Sequence, residues 1–121
     1  MPKRVLIVDD SPLMRQMITF TLREAKFEVV EAEHGQDALN KLNGQDIDLI
    51  VTDLNMPVMD GITFIRSARG LPATRYTPIL MLTTESQVEK KMAGKAAGAT
   101  GWIVKPFDPP RFLMVISKVL P

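Results

Sequence analysis

Three stretches of the chain are apolar at every successive position: Val5 to Val8, Leu49 to Val51, and Ile79 to Leu82. Each is too short for a helix. Unbroken apolarity over a few residues is expected of parallel strands covered on both faces. Two further runs are mixed: Phe27–Ala32 alternates in part, and Gly101–Val104 is short. Both predict strands, and their mixed character suits the edges of a sheet.

Helix-period segments lie between these runs. Ser11 and Pro12 open the first, serine as cap and proline in the first turn. Met14, Met17, Ile18, Thr21, Leu22 and Ala25 then share one face. Ala38, Leu39 and Leu42 mark a second helix, which Gly44 ends. Ile62, Ile65 and Ala68 mark a third. Ser86 and Glu89 have capping-box spacing and open a fourth. Asp108, Pro109 and Pro110 open a fifth, with Phe112, Val115, Ile116 and Val119 inward. Strand and helix thus alternate five times, which implies an α/β fold: a five-stranded parallel sheet with helices on both faces.

Composition narrows the possible chemistry. The 121 residues amount to one domain. There is no cysteine, which removes disulfides, thiolate metal sites and cysteine nucleophiles. A single histidine excludes a multi-histidine metal site. Fifteen basic residues against 14 acidic ones leave no basic surplus for nucleic acid. No apolar run approaches the ~20 residues of a membrane span or the ~7–15 of a signal-peptide core. A cytoplasmic protein that engages neither membrane nor nucleic acid is expected.

Ligands of open parallel sheets bind at the carboxyl ends of the strands. The first run ends in Asp9 and Asp10, the third in Thr52 and Asp53, the fourth in Thr83 and Thr84, and the fifth in Lys105 and Pro106. An aspartate after a strand is often only a turn former or cap. Three on one rim are different. Two unit charges ~4 Å apart repel by ~4 kcal/mol at an effective dielectric of about 20. Lys105 offsets one of three negatives, so a divalent cation is expected. All-oxygen donors point to Mg²⁺, or Mn²⁺ in its place. Such an ion with an aspartate, a hydroxyl and a lysine suits a phosphoryl group. Asp53 ends the run expected at the centre of the sheet, and a carboxylate can attack phosphorus to form an aspartyl phosphate. Pro57 holds Met56 extended and could aim the Asn55 carbonyl at the ion. Asp60 and Gly61 signal a turn into the third helix.

Other features read as structural. His34 is expected to be solvated, far from the rim. Lys90 and Lys91 are expected on a solvated helix face. Gly94 and Gly98 in the fourth helix fit either close packing or a weak, movable helix.

Four segments together carry a family resemblance: Val8 to Ser11, Asp53 to Gly61, Thr83–Thr84, and Gly98 to Phe107. Over its whole length the chain resembles the receiver domain of two-component response regulators, and within that family the stand-alone chemotaxis type. The resemblance implies a doubly wound, flavodoxin-like sheet of order 2-1-3-4-5. It implies that Asp53 is the phosphoacceptor, with Lys105 and Thr83 meeting the phosphoryl group. Asp10, Asp53 and the Asn55 carbonyl would hold Mg²⁺, with Asp9 acting through water. Thr83 and Trp102 would form the switch pair. Trp102 departs from the usual tyrosine or phenylalanine, and Thr84 is bulkier than the alanine or glycine often found there. Asn55 and Glu85 occupy positions that tune hydrolysis. A cis Lys105–Pro106 bond is implied as well.

The function implied is a monomeric switch, not a metabolic enzyme. A chemotaxis-type histidine kinase would act upstream, and a flagellar motor switch component downstream. Residues 1–121 would form a single receiver domain without an output domain. A phosphate sink or a phosphorelay intermediate belongs to the same class. Enzymes on the same fold fit less well. Asp9 and Asp10 would repel a flavin phosphate. An aspartate-nucleophile phosphatase typically carries a second aspartate where Asn55 stands. No G-x-G-x-x-G motif is present.

Overall fold

The computed structural model describes residues 2–84 and 88–120. Strands and helices alternate as β1 Arg4–Val8, α1 Pro12–Glu24, β2 Glu28–Ala32, α2 Gly35–Leu42, β3 Leu49–Asp53, α3 Gly61–Arg69, β4 Ile79–Thr83, α4 Val88–Ala97, β5 Gly101–Val104 and α5 Pro109–Val119. A short 3₁₀ turn at Pro72–Thr74, not expected from the pattern, precedes β4. The strands form one parallel sheet in the order β2-β1-β3-β4-β5. The unbroken apolar runs are the three inner strands, and the two mixed runs are the edges, as their composition implied.

Side chains of successive strand residues point to opposite faces. Val5, Ile7, Leu49, Val51, Leu80 and Leu82 pack with Ile18 and Leu22 of α1 and Phe112 and Ile116 of α5. Leu6, Val8, Ile50, Ile79 and Met81 pack with Ala38 and Leu42 of α2 and Phe64, Ile65 and Ala68 of α3. Fully burying such a side chain stabilises the fold by roughly 1.5–3 kcal/mol. These two cores hold the rim of strand ends in place.

The helix starts follow local chemistry. Ser11 caps α1 by accepting from the Met14 N–H at 3.2 Å, and Asp60 caps α3 by accepting from the Thr63 N–H at 2.8 Å. His34 is the cap of α2, its Nδ1 accepting from the Asp37 N–H at 3.1 Å; it is half-buried and structural, where full solvation was expected. Asp108 stands at the cap of α5 without a side-chain cap bond. The Ser86 part of the expected cap of α4 lies outside the described residues. Gly98 follows α4 with φ +119° and is not within it.

The inward face of α1 buries Ile18, Thr21 and Leu22 with Met14 packed beside them, as expected, but differs at its margins. Thr19 is buried while Met17 and Ala25 are exposed. Leu13, Met17 and Phe20 therefore line an outward stripe. Apolarity alone places Met17 inside, but Thr19 is buried in its stead, next to Ile18. Among the described residues, no helix is long and apolar enough to cross a membrane.

Candidate functional site

The carboxyl ends of β1 and β3 bring Asp9, Asp10 and Asp53 together, one oxygen of each lying within 4.8 Å of the others. Asp9 is 1% exposed and Asp53 6%; Asp10 is exposed. Backbone groups hold the two buried carboxylates. Asp9 Oδ1 accepts from the Ser11 N–H and Asp53 Oδ1 from the Leu54 N–H, each at 2.8 Å. Arg15 was not singled out from the sequence. Its Nη1 donates to the Asp9 carbonyl at 2.6 Å and its Nε lies 3.5 Å from Glu31, tying α1 to the ends of β1 and β2.

Gly61 is equally tied to the site. A Cβ there would lie 2.2 Å from the Asp53 carbonyl oxygen. Only a glycine lets α3 start this close to the end of β3. The Gly61 N–H donates to the Leu54 carbonyl at 2.9 Å. In the loop between, Val58 is exposed with φ +70°, an uncommon conformation for a β-branched residue.

From β5, Lys105 Nζ reaches Asp53 Oδ1 at 3.1 Å, half-sheltered against a carboxylate that is nearly buried. Its N–H donates to the Thr83 carbonyl at 2.6 Å, which fixes the end of β5 against β4. The Lys105–Pro106 bond is cis. Thr83 is fully buried, and among the described residues its hydroxyl has no hydrogen-bond partner. A buried, unsatisfied hydroxyl costs ~1–3 kcal/mol. A phosphoryl oxygen arriving beside Asp53 would supply the missing partner.

A second orphan is Asp9 Oδ2, also buried and without a partner among the described residues. Burial raises the Asp9 pKa above the ordinary 3.8, and the charges of Asp53 and Asp10 push the same way. The Ser11 N–H and Lys105 oppose them without cancelling the effect. An unpaired buried carboxylate oxygen, two neighbouring carboxylates and no nitrogen or sulfur donor fit a hard divalent cation. Asp9, Asp10 and Asp53 could hold it, with Asn55 on the adjoining loop.

Trp102 is 41% exposed on β5. Met81 pairs with Trp102 and Thr83 with Val104. Alternation therefore puts Met81, Thr83, Trp102 and Val104 on one face, with Thr83 diagonal to Trp102. Lys105 points to the other face. Thr84 is exposed. Glu85 lies outside the described residues. Lys90 is exposed, as expected, and Lys91 half-buried, but both make contacts: Lys90 Nζ donates to Asn55 Oδ1 at 2.5 Å, and Lys91 Nζ lies 5.7 Å from the centre of the Trp102 ring.

Residues 5–117 match the family model of the response regulator receiver domain. The chain is 48% identical to the chemotaxis protein CheY4 of Vibrio cholerae, with a TM-score of 0.95 covering 99% of this chain and 100% of that one. It is 25% identical, with a TM-score of 0.90, to the receiver domain of a sensor histidine kinase from Pseudomonas aeruginosa PAO1. That structure has a magnesium ion coordinated in its active-site cleft, and the match covers 98% of both chains. Among curated proteins, the phosphate regulon transcriptional regulatory protein PhoB of Escherichia coli is 37% identical over 120 residues. The alignment covers 99% of this chain and 52% of PhoB, so the chain spans about half the length of the curated relatives it matches. The chain belongs to the response regulator receiver domain family.

Proposed function

We propose that this receiver domain is a phosphorylation-dependent binding switch with Asp53 as its phosphoacceptor. The observation that carries the reading is the contact of Asp53 Oδ1 with Lys105 at 3.1 Å, beside the orphan hydroxyl of Thr83 on the next strand. In the transfer step an Asp53 carboxylate oxygen attacks the phosphorus of a kinase phosphohistidine. The P–O bond forms as the P–N bond breaks, and the imidazole nitrogen leaves with the electron pair. Lys105 pairs with the incoming phosphoryl oxygens and holds Asp53 in line. Asp9, Asp10 and Asp53 would hold Mg²⁺, which would supply neutralising charge for the acceptor and the phosphoryl group. Thr83 donates its hydroxyl to the new phosphoryl oxygen.

The Thr83 side chain then draws toward the rim, leaving room on the Met81–Trp102 face for the ring to move. The surface that changes is that of α4, β5 and α5, where Met92, Trp102 and Met114 stand exposed. The likeness to a chemotaxis protein of V. cholerae supports a chemotaxis-type kinase upstream and a flagellar motor switch component downstream, in the cytoplasm. The likeness to PhoB supports a second reading, in which the receiver serves another two-component pathway.

The test is phosphorylation by acetyl phosphate or a phosphorylated histidine kinase in the presence of Mg²⁺. One phosphoryl group should appear, on Asp53. Asp53→Asn should carry none, and EDTA should prevent labelling of the wild type. Label on the variant at wild-type stoichiometry would contradict the assignment.

A further inference from the structure

Two consecutive lysines at the start of α4 make contacts that lead in different directions. Lys90 donates to the side-chain oxygen of Asn55, two residues beyond Asp53, at 2.5 Å. Lys91 lies over the Trp102 ring at 5.7 Å, within cation–π range. Neighbours on an α-helix point about 100° apart, so one turn can reach the β3–α3 loop with one residue and β5 with the next.

The rest of α4 is held differently at its two ends. At the C-terminal end, Arg69 Nε donates to the Gly98 carbonyl at 2.9 Å, and its Nη1 donates to the Thr74 and Thr77 carbonyls at 2.8 and 2.6 Å. That end is anchored to backbone. In the middle, a Cβ on Gly94 would lie 2.0 Å from the Met81 sulfur, so the helix rests directly on a flexible side chain of β4. Near the N-terminal end, two lysine side chains reach out of the helix, Lys90 to the β3–α3 loop and Lys91 to β5.

We infer that Lys90 and Lys91 form one positioning element that couples the rim of the acidic site to Trp102. While Lys90 holds Asn55, the same turn keeps Lys91 over the indole and the ring at the surface. When charge arrives on Asp53 and the loop carrying Asn55 adjusts, Lys90 follows and Lys91 is displaced from the ring. This second route runs alongside Thr83. Neither lysine touches reacting atoms in it; both act through Asn55 and Trp102. The inference rests on Asp53 being the phosphoacceptor only for its final step, the response to phosphorylation.

The experiment measures Trp102 emission and acrylamide quenching in the wild type, Lys90→Ala, Lys91→Ala, the double variant and Lys91→Arg. The first comparison uses protein without Mg²⁺ or a phosphoryl mimic. Each alanine variant should raise quenching by about twofold, and the double variant should exceed the larger single effect little, because contacts in series are not additive. Lys91→Arg keeps a cation over the ring and should restore wild-type quenching. Quenching equal to wild type in both single variants, or effects that simply add, would overturn the coupling.

The second comparison adds beryllofluoride and Mg²⁺. Occupancy at Asp53 is read separately by ¹⁹F NMR, and the Trp102 response is divided by it. Lys90→Ala should roughly halve the response per occupied site. An undiminished response overturns the inference while leaving the phosphoacceptor reading intact. Absence of occupancy at Asp53 in the wild type would count against the phosphoacceptor reading instead, and the first comparison would still decide whether the lysines act as one element.

Discussion

The ends of β1 and β3 and the ends of β4 and β5 share one rim but are held by different means. On the first pair, backbone does most of the holding, helped by the Arg15 guanidinium on the Asp9 carbonyl. Ser11 and Leu54 N–H groups fix the carboxylates of Asp9 and Asp53, and Gly61 seats α3 against the Asp53 carbonyl. On the second pair, the Lys105 N–H joins β5 to the Thr83 carbonyl, but side chains make the contacts beyond that bond. The Thr83 hydroxyl lacks a partner among the described residues, α4 rests on the Met81 thioether, and Lys90 and Lys91 tie its first turn to Asn55 and Trp102. Backbone contacts in a packed core have little room to adjust, whereas methionine and lysine side chains have many rotamers of similar energy. The carboxylate half is therefore built to stay, and the β4–β5 half is built to shift.

The largest effect that would break this contrast comes from adding one methyl group to each half. Gly61→Ala drives a Cβ against backbone at Asp53, and should cost about 3 kcal/mol or more. For a domain of this size the thermal midpoint should fall by roughly 10 °C. Gly94→Ala meets only the far end of Met81, which can swing away, and should cost about 1–2 kcal/mol. Thermal unfolding of both variants checks the ranking. Equal losses would mean that the two halves are equally rigid.

Metal binding should stabilise the carboxylate half specifically. At a Mg²⁺ concentration ~100 times its dissociation constant, the gain is about 2.7 kcal/mol. Asp10→Ala removes one ligand; a tenfold weaker affinity would trim that gain by about 1.4 kcal/mol. Thermal shift against Mg²⁺ concentration measures it. A full wild-type shift in Asp10→Ala would remove Asp10 from the ligand set.

The smallest effect is with pH. Because the folded pKa of Asp9 is raised, its protonation favours the fold. In the absence of divalent ions this contribution is fully present below the unfolded pKa, near 3.8, and is lost as pH rises through the folded value. One proton limits the slope to about 1.4 kcal/mol per pH unit. Denaturant titrations across that window should show the Asp9 contribution as a difference between the wild type and Asp9→Asn. Apparent Mg²⁺ affinity should fall over the same window as pH is lowered. Affinity unchanged across it would detach Asp9 from the metal.

The strands and their edge or inner positions were legible because burial on both faces demands unbroken apolar runs. The carboxylates and Lys105 were legible because strand ends of a parallel sheet converge on one rim. The inward face of α1 was less so, since Met17 is as apolar on a surface stripe as in a core. The roles of Lys90, Lys91, Arg15 and Gly61 depend on contacts between segments distant in sequence, which no local pattern encodes. His34 was missed because histidine is an unusual cap; the only hint was its place just before the α2 pattern. Gly61 read as a turn residue, and only the distance to the Asp53 carbonyl reveals its packing role.

Amide hydrogen exchange with and without beryllofluoride and Mg²⁺ tests the division between the two halves most directly. The account predicts altered exchange in α4 and β5, with β1, β2 and α2 unchanged beyond what Mg²⁺ alone produces. Changes spread evenly over both halves, or confined to β1, β2 and α2 while α4 and β5 stay as they were, would contradict it.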